Sequence, residues 1–295
     1  MSPQPTFTLN DNTPIPWLGF GTGTALYQQD VTETVVNAIR AGVRHLDGAQ
    51  MYQNEDSLGA GIRESGVPRS ELFVTTKLLP NIDFDKESPK SKLVESLKRL
   101  GFDYVDLYLI HSPQPAQELG KLKELWKDME EIKKEGLAKS IGISNFGLKA
   151  LEETLEVATV VPAANQVEFH PYVWSQVKPI YELCKEKGIT IQSYSGLVPV
   201  TQAKGGPVDP VLEKAAQRLS KQSGKTVTPG HVLIKWQLQK GVVVVTTSSK
   251  VSRLKETLEV PTLPDLTPEE ISAIEEEGSK VLKRVWMHDS FKGEF

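Results

Sequence analysis

The feature that most constrains the fold of this chain is a regular alternation of strand-like and helix-like segments along its 295 residues. Eight short, mostly apolar runs recur about every 30 residues, with helical patterns between them. Runs with little polar alternation are typical of parallel strands buried on both faces. Eight such units predict an α/β fold, a closed (β/α)8 TIM barrel, and we expect a single domain over residues 1–295.

The predicted elements follow from these patterns. The predicted strands are a run at residues 18–22 and seven runs that end near Asp47, Lys77, His111, Ser144, Glu168, Tyr194 and Thr246. The predicted helices cover residues 31–41, 57–65, 90–100, 119–135, 148–157, 177–187, 211–220, 229–239 and 253–258. Residues 6–9 and 15–16 predict an N-terminal β-hairpin. Residues 196–210 are rich in Gly and Pro and predict a long loop, of the kind that often covers a ligand.

Four polar residues stand at or just after the ends of three neighbouring strand runs. Asp47, Lys77 and His111 each end one run, and Tyr52 follows Asp47 by five residues. Active sites of parallel barrels lie at the carboxyl ends of the strands, so we expect these four side chains to meet.

The chemistry open to this set is limited. A tyrosine hydroxyl has a pKa near ~10, so as a proton donor it needs a neighbour that stabilises the phenolate. A buried lysine does so, and we expect Lys77, kept charged by Asp47, to lower the pKa of Tyr52 by ~2 to 3 units, which requires ~3 to 4 kcal/mol. A neutral His111 can hold a carbonyl oxygen. The set suits protonation of an oxygen during carbonyl reduction.

The segments that carry these residues resemble the signature motifs of the aldo-keto reductases. They are AGVRHLD at residues 41–47, YQNE at 52–55, GISNF at 142–146, NQVE at 165–168, HPY at 170–172 and SYS at 193–195. The motifs follow the family's order over nearly the whole chain. The resemblance implies a barrel with a hairpin cap and long substrate and cofactor loops. It also implies a catalytic tetrad of Asp47, Tyr52, Lys77 and His111, with Tyr52 as general acid and a nicotinamide cofactor as hydride source.

The resemblance also assigns the cofactor contacts. It places Ser144, Asn145 and Gln166 at the nicotinamide carboxamide, the Tyr194 ring against the nicotinamide, and loop 196–210 over the pyrophosphate. The full set is Gly23, Thr24, Asp47, Ser144, Asn145, Gln166, Tyr194, Ser195, Leu197, Thr247, Ser248, Ser249, Lys250, Arg253, Glu256 and Thr257. Two cations near a helix start, Lys250 and Arg253, suit a 2′-phosphate, so we expect NADPH rather than NADH. The chain departs from the family at Gly196, where a proline is common, and at Thr247, where a lysine is common.

The substrate pocket is expected to differ from that of better-known members. Gly23 and Ser112 occupy positions where many members have tryptophan, which predicts a roomier and more polar pocket for bulky keto-lactones, diketones or α-keto esters. The predicted substrate contacts are Tyr52, His111, Ser112 and Trp174, with residues 285–288 rebuilding part of the wall. The Gly-Thr-Gly-Thr pattern at residues 21–24 is similar to that of fungal conjugated-polyketone and ketopantoyl-lactone reductases.

Three alternatives remain open. The glycines at 19, 21 and 23 superficially match a dinucleotide-binding fingerprint, but Thr24 stands where its third glycine is required. Asp47 and Glu168 could act as the paired carboxylates of a barrel hydrolase, which would leave Tyr52 and Lys77 unexplained. A non-catalytic regulatory or structural protein of the same fold is the main rival.

Composition excludes some partners. The net charge of −4 and the lack of a basic cluster give no reason to expect nucleic acid or an anionic membrane. We find no signal-peptide pattern, membrane span or metal-ligand spacing, and no indication of an obligate protein partner. Cys184 is the single cysteine, which favours a reducing compartment and predicts the cytoplasm.

Overall fold

The computed structural model describes residues 5–287. The strands are β1 Thr6–Thr8, β2 Pro14–Pro16, β3 Leu18–Gly21, β4 His45–Asp47, β5 Phe73–Leu78, β6 Val105–Ile110, β7 Ala138–Ser144, β8 Ala164–Glu168, β9 Thr190–Tyr194 and β10 Val243–Thr246. The helices are α1 Thr32–Ala41, α2 Glu55–Glu64, α3 Pro89–Leu100, α4 Gln114–Glu118, α5 Leu122–Lys134, α6 Leu148–Leu155, α7 Trp174–Glu186, α8 Val198–Thr201, α9 Asp209–Ser223, α10 Pro229–Gln239, α11 Val251–Leu258 and α12 Pro268–Gly278. The predicted domain, residues 1–295, extends past both ends of this range and stays a prediction.

The strands form the predicted closed barrel. Within residues 5–287, β3 to β10 pair in parallel, each with the next, and β10 pairs with β3 to close the cylinder. The central strands β5 and β6 are buried along their whole length, as their continuous apolar runs predicted. The TIM-barrel prediction is confirmed, and the open doubly wound sheet of the dinucleotide fingerprint is excluded. None of the helices described is long and apolar enough to cross a membrane.

The hairpin of β1 and β2 closes the amino-terminal end of the barrel. Leu9 and Ile15 pack in one apolar cluster with residues at or near the first positions of the barrel strands, among them Phe73 and Val243. Asp11 at the hairpin turn accepts hydrogen bonds from Lys133 Nζ at 2.5 Å and Ser140 Oγ at 2.8 Å. This end is therefore sealed, and the carboxyl ends of the strands form the open end.

The helix predictions are right except at three places. The helix predicted over residues 119–135 begins only at Leu122, because Gly120 adopts φ +66° and separates α5 from the short helix α4, which was not predicted. The loop predicted over residues 196–210 contains the short helix α8. Helix α12 was not predicted, although Thr267 and Glu270 form a capping box that fixes its first turn.

Candidate active site

The four predicted catalytic residues meet at the open end of the barrel. Lys77 Nζ donates to Asp47 Oδ1 at 2.6 Å, to the carbonyl oxygen of Gly48 at 2.9 Å and to Tyr52 Oη at 3.4 Å. All three hydrogens of the ammonium therefore have acceptors, although the Lys77 side chain is fully buried. The ammonium is held in place between a carboxylate and a phenol.

Tyr52 is positioned by the backbone around it. It ends a short 3₁₀ turn, Gln50–Tyr52, and Gln53 follows it at φ 54°. The backbone amide of Gln28 donates to the carbonyl oxygen of Tyr52 at 3.0 Å. Gly23 lies so close to the ring that a Cβ built on it would lie 2.8 Å from Tyr52 Cζ. The phenol is thus packed against a glycine backbone on one side.

The electrostatic prediction for Tyr52 is wrong in sign. Burial of the hydroxyl raises the pKa of Tyr52, and Lys77, which lowers it, does not fully compensate. Burial also works against charge on Lys77, but Asp47 and Tyr52 together hold the pKa of Lys77 above its ordinary value. At neutral pH the pair is therefore a protonated phenol beside an ammonium. The phenol therefore carries its proton at neutral pH and can serve as a proton donor.

His111 stands beside Tyr52, with its ring edge-on at a centroid distance of 5.6 Å. Burial, together with the positive charge of Lys77, lowers the pKa of His111 to about 3. The imidazole is therefore neutral over the physiological range, as predicted, and one ring nitrogen carries a hydrogen that can be donated.

Gln166 links the tetrad to the opposite side of the barrel. Its side-chain amide donates to Asp47 Oδ2 at 2.8 Å and to Gln192 Oε1 at 3.0 Å. Both carboxylate oxygens of Asp47 are thus occupied, one by Lys77 and one by Gln166. The carboxylate is fixed by β5 on one side and by β8 on the other.

A second hydrogen-bond network orients Tyr194. Its hydroxyl donates to Asn145 Oδ1 at 2.6 Å, and Asn145 Nδ2 donates to the carbonyl oxygen of His111 at 2.9 Å and to Ser144 Oγ at 3.1 Å. Because its hydroxyl is tied down, the ring of Tyr194 is held in one orientation along the cavity wall.

The backbone is strained where these residues lie. Thr24, Asn145 and Ser195 adopt φ values of 50°, 62° and 55°, in the left-handed region that non-glycine residues rarely occupy. All three line one cavity. Such strain persists only where the surroundings impose it, and it concentrates at functional sites.

The glycine that replaces the expected proline after Ser195 has a local reason. A Cβ on Gly196 would lie 2.6 Å from the side-chain amide of Gln237, which is fully buried and bonded to Ser193 Oγ. The loop start therefore runs directly over this buried amide, which leaves no room for a larger residue.

A cavity of about 620 Å³ opens at this end of the barrel. Ten of the predicted cofactor residues line it, namely Gly23, Thr24, Asp47, Ser144, Asn145, Gln166, Tyr194, Ser195, Leu197 and Thr247. Six do not, namely Ser248, Ser249, Lys250, Arg253, Glu256 and Thr257. The latter continue the chain from Thr247 into α11, and Lys250 and Arg253 are exposed there without an ion pair to any described residue. The volume is within the usual range for a ligand site.

Comparison with known proteins identifies the family. Residues 17–278 match the sequence model described as the aldo/keto reductase family. The chain belongs to the aldo-keto reductases.

Relatives agree over most of the chain. The aldo-keto reductase described here is 41% identical over 252 residues to the NAD/NADP-dependent indole-3-acetaldehyde reductase of Schizosaccharomyces pombe, covering 83% of this chain and 85% of that one. It is 36% identical over 288 residues to the NADPH-dependent alpha-keto amide reductase of Saccharomyces cerevisiae, covering 93% and 91%. The crystal structure of a Bombyx mori aldo-keto reductase in complex with NADP is similar at a TM-score of 0.81 and 32% identity, covering 99% of this chain and 98% of that one.

Two predicted substrate contacts of this aldo-keto reductase lie elsewhere. Trp174 packs against Phe169 and Trp236, and Lys240 Nζ lies 4.2 Å from its ring centroid, so it belongs to an aromatic cluster away from the cavity. Ser112 is buried and does not line the cavity either; its hydroxyl accepts a hydrogen bond from the backbone amide of Gln114. Residues downstream of a strand end can face outward as well as inward, and spacing does not distinguish the two.

The rim is less polar than predicted. Tyr27, Met51, Trp286 and Met287 line the cavity, and the first three are among the exposed large apolar residues of the described chain. Of the tail residues predicted to form part of the wall, Trp286 and Met287 line the cavity, Val285 does not, and His288 lies outside the described residues. Sequence analysis missed Tyr27 and Met51, although Met51 directly precedes Tyr52.

The structure does not support Asp47 and Glu168 as the paired carboxylates of a hydrolase. Glu168 is fully buried and does not line the cavity, and both of its oxygens are bonded within the protein. Asp47 is likewise occupied by Lys77 and Gln166. Residues 5–287 also hold no cluster of His, Cys, Asp or Glu that could bind a metal ion.

Proposed function

We propose that the protein is an NADPH-dependent carbonyl reductase that transfers hydride to a ketone or an aldehyde, with Tyr52 as general acid. The observation that carries the proposal is the contact of Tyr52 Oη with a fully buried ammonium, Lys77 Nζ, at 3.4 Å on the wall of a cavity. The predicted cytoplasmic location and the single-domain organisation remain proposals of the same kind.

Each residue of the tetrad has a distinct role in the proposed reaction. A bound nicotinamide cofactor supplies the hydride. The hydroxyl of Tyr52 donates its proton to the carbonyl oxygen as negative charge develops there, and the ammonium of Lys77 stabilises the phenolate that remains. Asp47 keeps Lys77 charged and oriented, and the neutral imidazole of His111 donates a hydrogen bond to the same carbonyl oxygen. Because the ammonium is desolvated, its effect on the phenolate is greater than it would be in water.

The donor set fits a dinucleotide. Ser144, Asn145 and Gln166 carry hydroxyl and amide groups on the cavity wall, and the ring of Tyr194 offers an aromatic face. Thr247 leads to Lys250 and Arg253, exposed cations at the start of α11 that would hold a 2′-phosphate, with Glu256 and Thr257 toward the adenine. The names of the Saccharomyces cerevisiae relative and the Bombyx mori structure, which mention NADPH and NADP, support the choice of NADPH as cofactor.

The general-acid role is tested with Tyr52→Phe. Removal of the hydroxyl leaves the ring packing intact, so we expect kcat to fall by at least ~100-fold while the Kd of NADPH stays within about twofold. The assays follow NADPH absorbance with a panel of diketones and NADPH fluorescence on binding. A Tyr52→Phe enzyme that keeps most of its rate contradicts the assignment. A wild-type protein that binds NADPH yet reduces nothing in the panel supports the rival, a non-catalytic protein of the same fold.

The preference for NADPH is tested with Lys250→Ala and Arg253→Ala. We expect each to raise the KM for NADPH about tenfold and to leave the KM for NADH unchanged, since only NADPH carries the 2′-phosphate. Lys255→Ala, which removes another exposed cation of α11, is the matched control. Equal changes for both cofactors would show that the two cations do not read the phosphate.

A further inference from the structure

The segment after α12 returns to the open end of the barrel without regular secondary structure. The backbone amide of Lys283 donates to the carbonyl oxygen of Tyr172 at 3.1 Å, and the guanidinium of Arg284 donates to Gln176 Oε1 at 3.1 and 3.2 Å. Trp286 and Met287 then reach the cavity. The cavity wall therefore includes a segment with no helix or strand hydrogen bonds of its own.

One buried carboxylate supplies the anchor for this segment. Glu168 Oε1 and Oε2 accept the backbone amide of Val285 at 2.9 and 3.1 Å, and Oε2 accepts that of Trp286 at 3.0 Å. His170 Nε2 lies 2.9 Å from Oε1. We call residues 285–287 the tail segment and these contacts its latch.

The latch is strong because of where it lies. Glu168 has no solvent exposure, and a buried carboxylate is tolerated only when its oxygens are hydrogen-bonded. Bonds from backbone amides to a carboxylate are charge-assisted and roughly twice as strong as neutral ones. Two of the hydrogen-bond donors to Glu168 are backbone amides of the tail segment. If this segment undocked, the buried carboxylate would lose these donors.

The latch is joined to the active site through one strand. Glu168 lies two residues after Gln166 on β8, so both side chains point to the same face. Gln166 contacts Asp47, and Glu168 holds the backbone of Val285 and Trp286. The spacing between the tetrad and the apolar wall is therefore set by a rigid strand rather than by the irregular tail.

We propose that Glu168 is a positioning residue for substrate specificity: through the latch it holds Trp286 and Met287 against the bulky apolar group of the carbonyl substrate. This inference rests on the proposed reductase function. Glu168 itself does not line the cavity, so it acts through the tail segment rather than by contact with the substrate.

The test compares Glu168→Gln with two diketones of different size, 2,3-butanedione and 1-phenyl-1,2-propanedione. The glutamine keeps the shape of the side chain but replaces an acceptor by an NH₂ group that faces the tail amides. We expect the KM for the phenyl diketone to rise about tenfold with kcat within about twofold, and the KM for butanedione to stay unchanged. Trp286→Ala should give the same pattern, and the double variant should add nothing further.

The matched control is Asp106→Asn. Asp106 is also a buried carboxylate of the barrel that accepts a hydrogen bond from a backbone amide and pairs with cations, but it lies at the opposite end. This variant should leave the ratio of the two KM values unchanged. Equal effects of Glu168→Gln on both diketones, or additive effects with Trp286→Ala, would overturn the latch.

Trypsin cleavage after Lys283 or Arg284 measures latch opening without any activity. We expect Glu168→Gln to be cut there at least about fivefold faster than wild type, and Asp106→Asn at the wild-type rate. Equal cleavage of all three proteins refutes the latch even if the enzyme is active. Faster cleavage in a protein that reduces no carbonyl would support the latch and refute the proposed function.

Discussion

The two ends of the barrel both contain a buried carboxylate paired with cations, yet only one of them forms a reactive site. At the closed end, Asp106 accepts from Arg69 at 2.7 Å, from Lys139 at 2.9 Å and from the backbone amide of Val74 at 2.9 Å. At the open end, Asp47 binds Lys77 at 2.6 Å. The partners of Asp106 are partly exposed, whereas the Lys77 side chain is fully buried.

The difference lies in what the cation does with its remaining hydrogens. Arg69 donates to the carbonyl oxygens of Leu72 at 2.8 Å and Tyr104 at 3.1 Å, and Lys139 Nζ lies 4.4 Å from the ring centroid of Tyr104, so both cations stabilise the segments where the strands begin. Lys77 directs one hydrogen to the hydroxyl of Tyr52 at a cavity. A buried ion pair is thus structural or chemical according to the group that its spare donor faces.

The largest contrast is expected from removing the cation at each end. Lys77→Met leaves Asp47 buried without a cation, so we expect a loss of about 3 to 5 kcal/mol in unfolding free energy and at least ~100-fold in kcat. Lys139→Met leaves Arg69 on Asp106, so the loss should stay within about 1 kcal/mol, with kcat unchanged. Urea unfolding and diketone reduction measure both. Loss of turnover in Lys139→Met would remove the distinction between the ends.

Acid should weaken both ends together, because each holds a neutral buried histidine. Burial lowers the pKa of His45, in the lower half of the barrel, from 6.5 to about 4, and that of His111 to about 3. Below pH 6.5 the unfolded chain therefore binds more protons than the folded one, and stability falls as the pH drops. We expect these two residues to contribute a loss of roughly 4 kcal/mol between pH 7 and 5.

The share of each end is separable by substitution. His45→Asn and His111→Asn should each remove a clear part of the pH dependence, but less than half, because burial also lowers the pKa of His170; urea midpoints at several pH values would show this. If the unfolding free energy of either variant depended on pH as strongly as that of the wild type, the substituted histidine would not be a group that takes up a proton on unfolding.

Two nearby glycines offer a smaller contrast. A Cβ on Gly19 would lie 2.9 Å from His45 Nδ1 inside the packed barrel, and one on Gly23 would lie 2.8 Å from Tyr52 Cζ at the cavity. Gly19→Ala should cost about 1 to 3 kcal/mol of stability without a specific effect on kcat. Gly23→Ala should shift the phenol into the cavity and lower kcat about tenfold at nearly unchanged stability. The reverse pattern would mean that Tyr52 is not positioned by this contact.

The smallest effect is expected at the hairpin. Asp11→Ala removes the bonds to Lys133 and Ser140, which are partly exposed to solvent, so we expect about 1 kcal/mol of destabilisation and no change in kcat or KM. Thermal unfolding and steady-state kinetics measure these quantities. Any change in KM would show that the closed end communicates with the cavity.

Much of the fold was predictable because its signals are local. Each barrel strand is a short, mostly apolar run with a polar residue at or next to its end, and the periodicity of the helices is ordinary. Gly120, which separates α4 from α5, and the capping box of Thr267 and Glu270 are also local signals, but the sequence analysis did not use them. Convergence of Asp47, Lys77 and His111 followed from the parallel direction of their strands alone.

The remainder depends on distances that spacing does not contain. The sign of the Tyr52 shift depends on the balance between burial and the charge of Lys77, which only the packed structure sets. The choice between Trp174 and Trp286 for the wall depends on which face each side chain presents, and on a carboxylate more than one hundred residues away that holds the tail.

The bond from Gln166 to Asp47 crosses the interior of the barrel between β8 and β4. A bound molecule that draws the amide of Gln166 toward itself weakens its hold on Asp47, and so alters the field that Lys77 and Tyr52 experience. By thermodynamic reciprocity, the proton on the phenol and the molecule at the amide then change each other's affinity by the same factor. Binding of a molecule at Gln166 on one side of the barrel thereby changes the proton affinity of Tyr52 on the other side, before any covalent bond is made or broken.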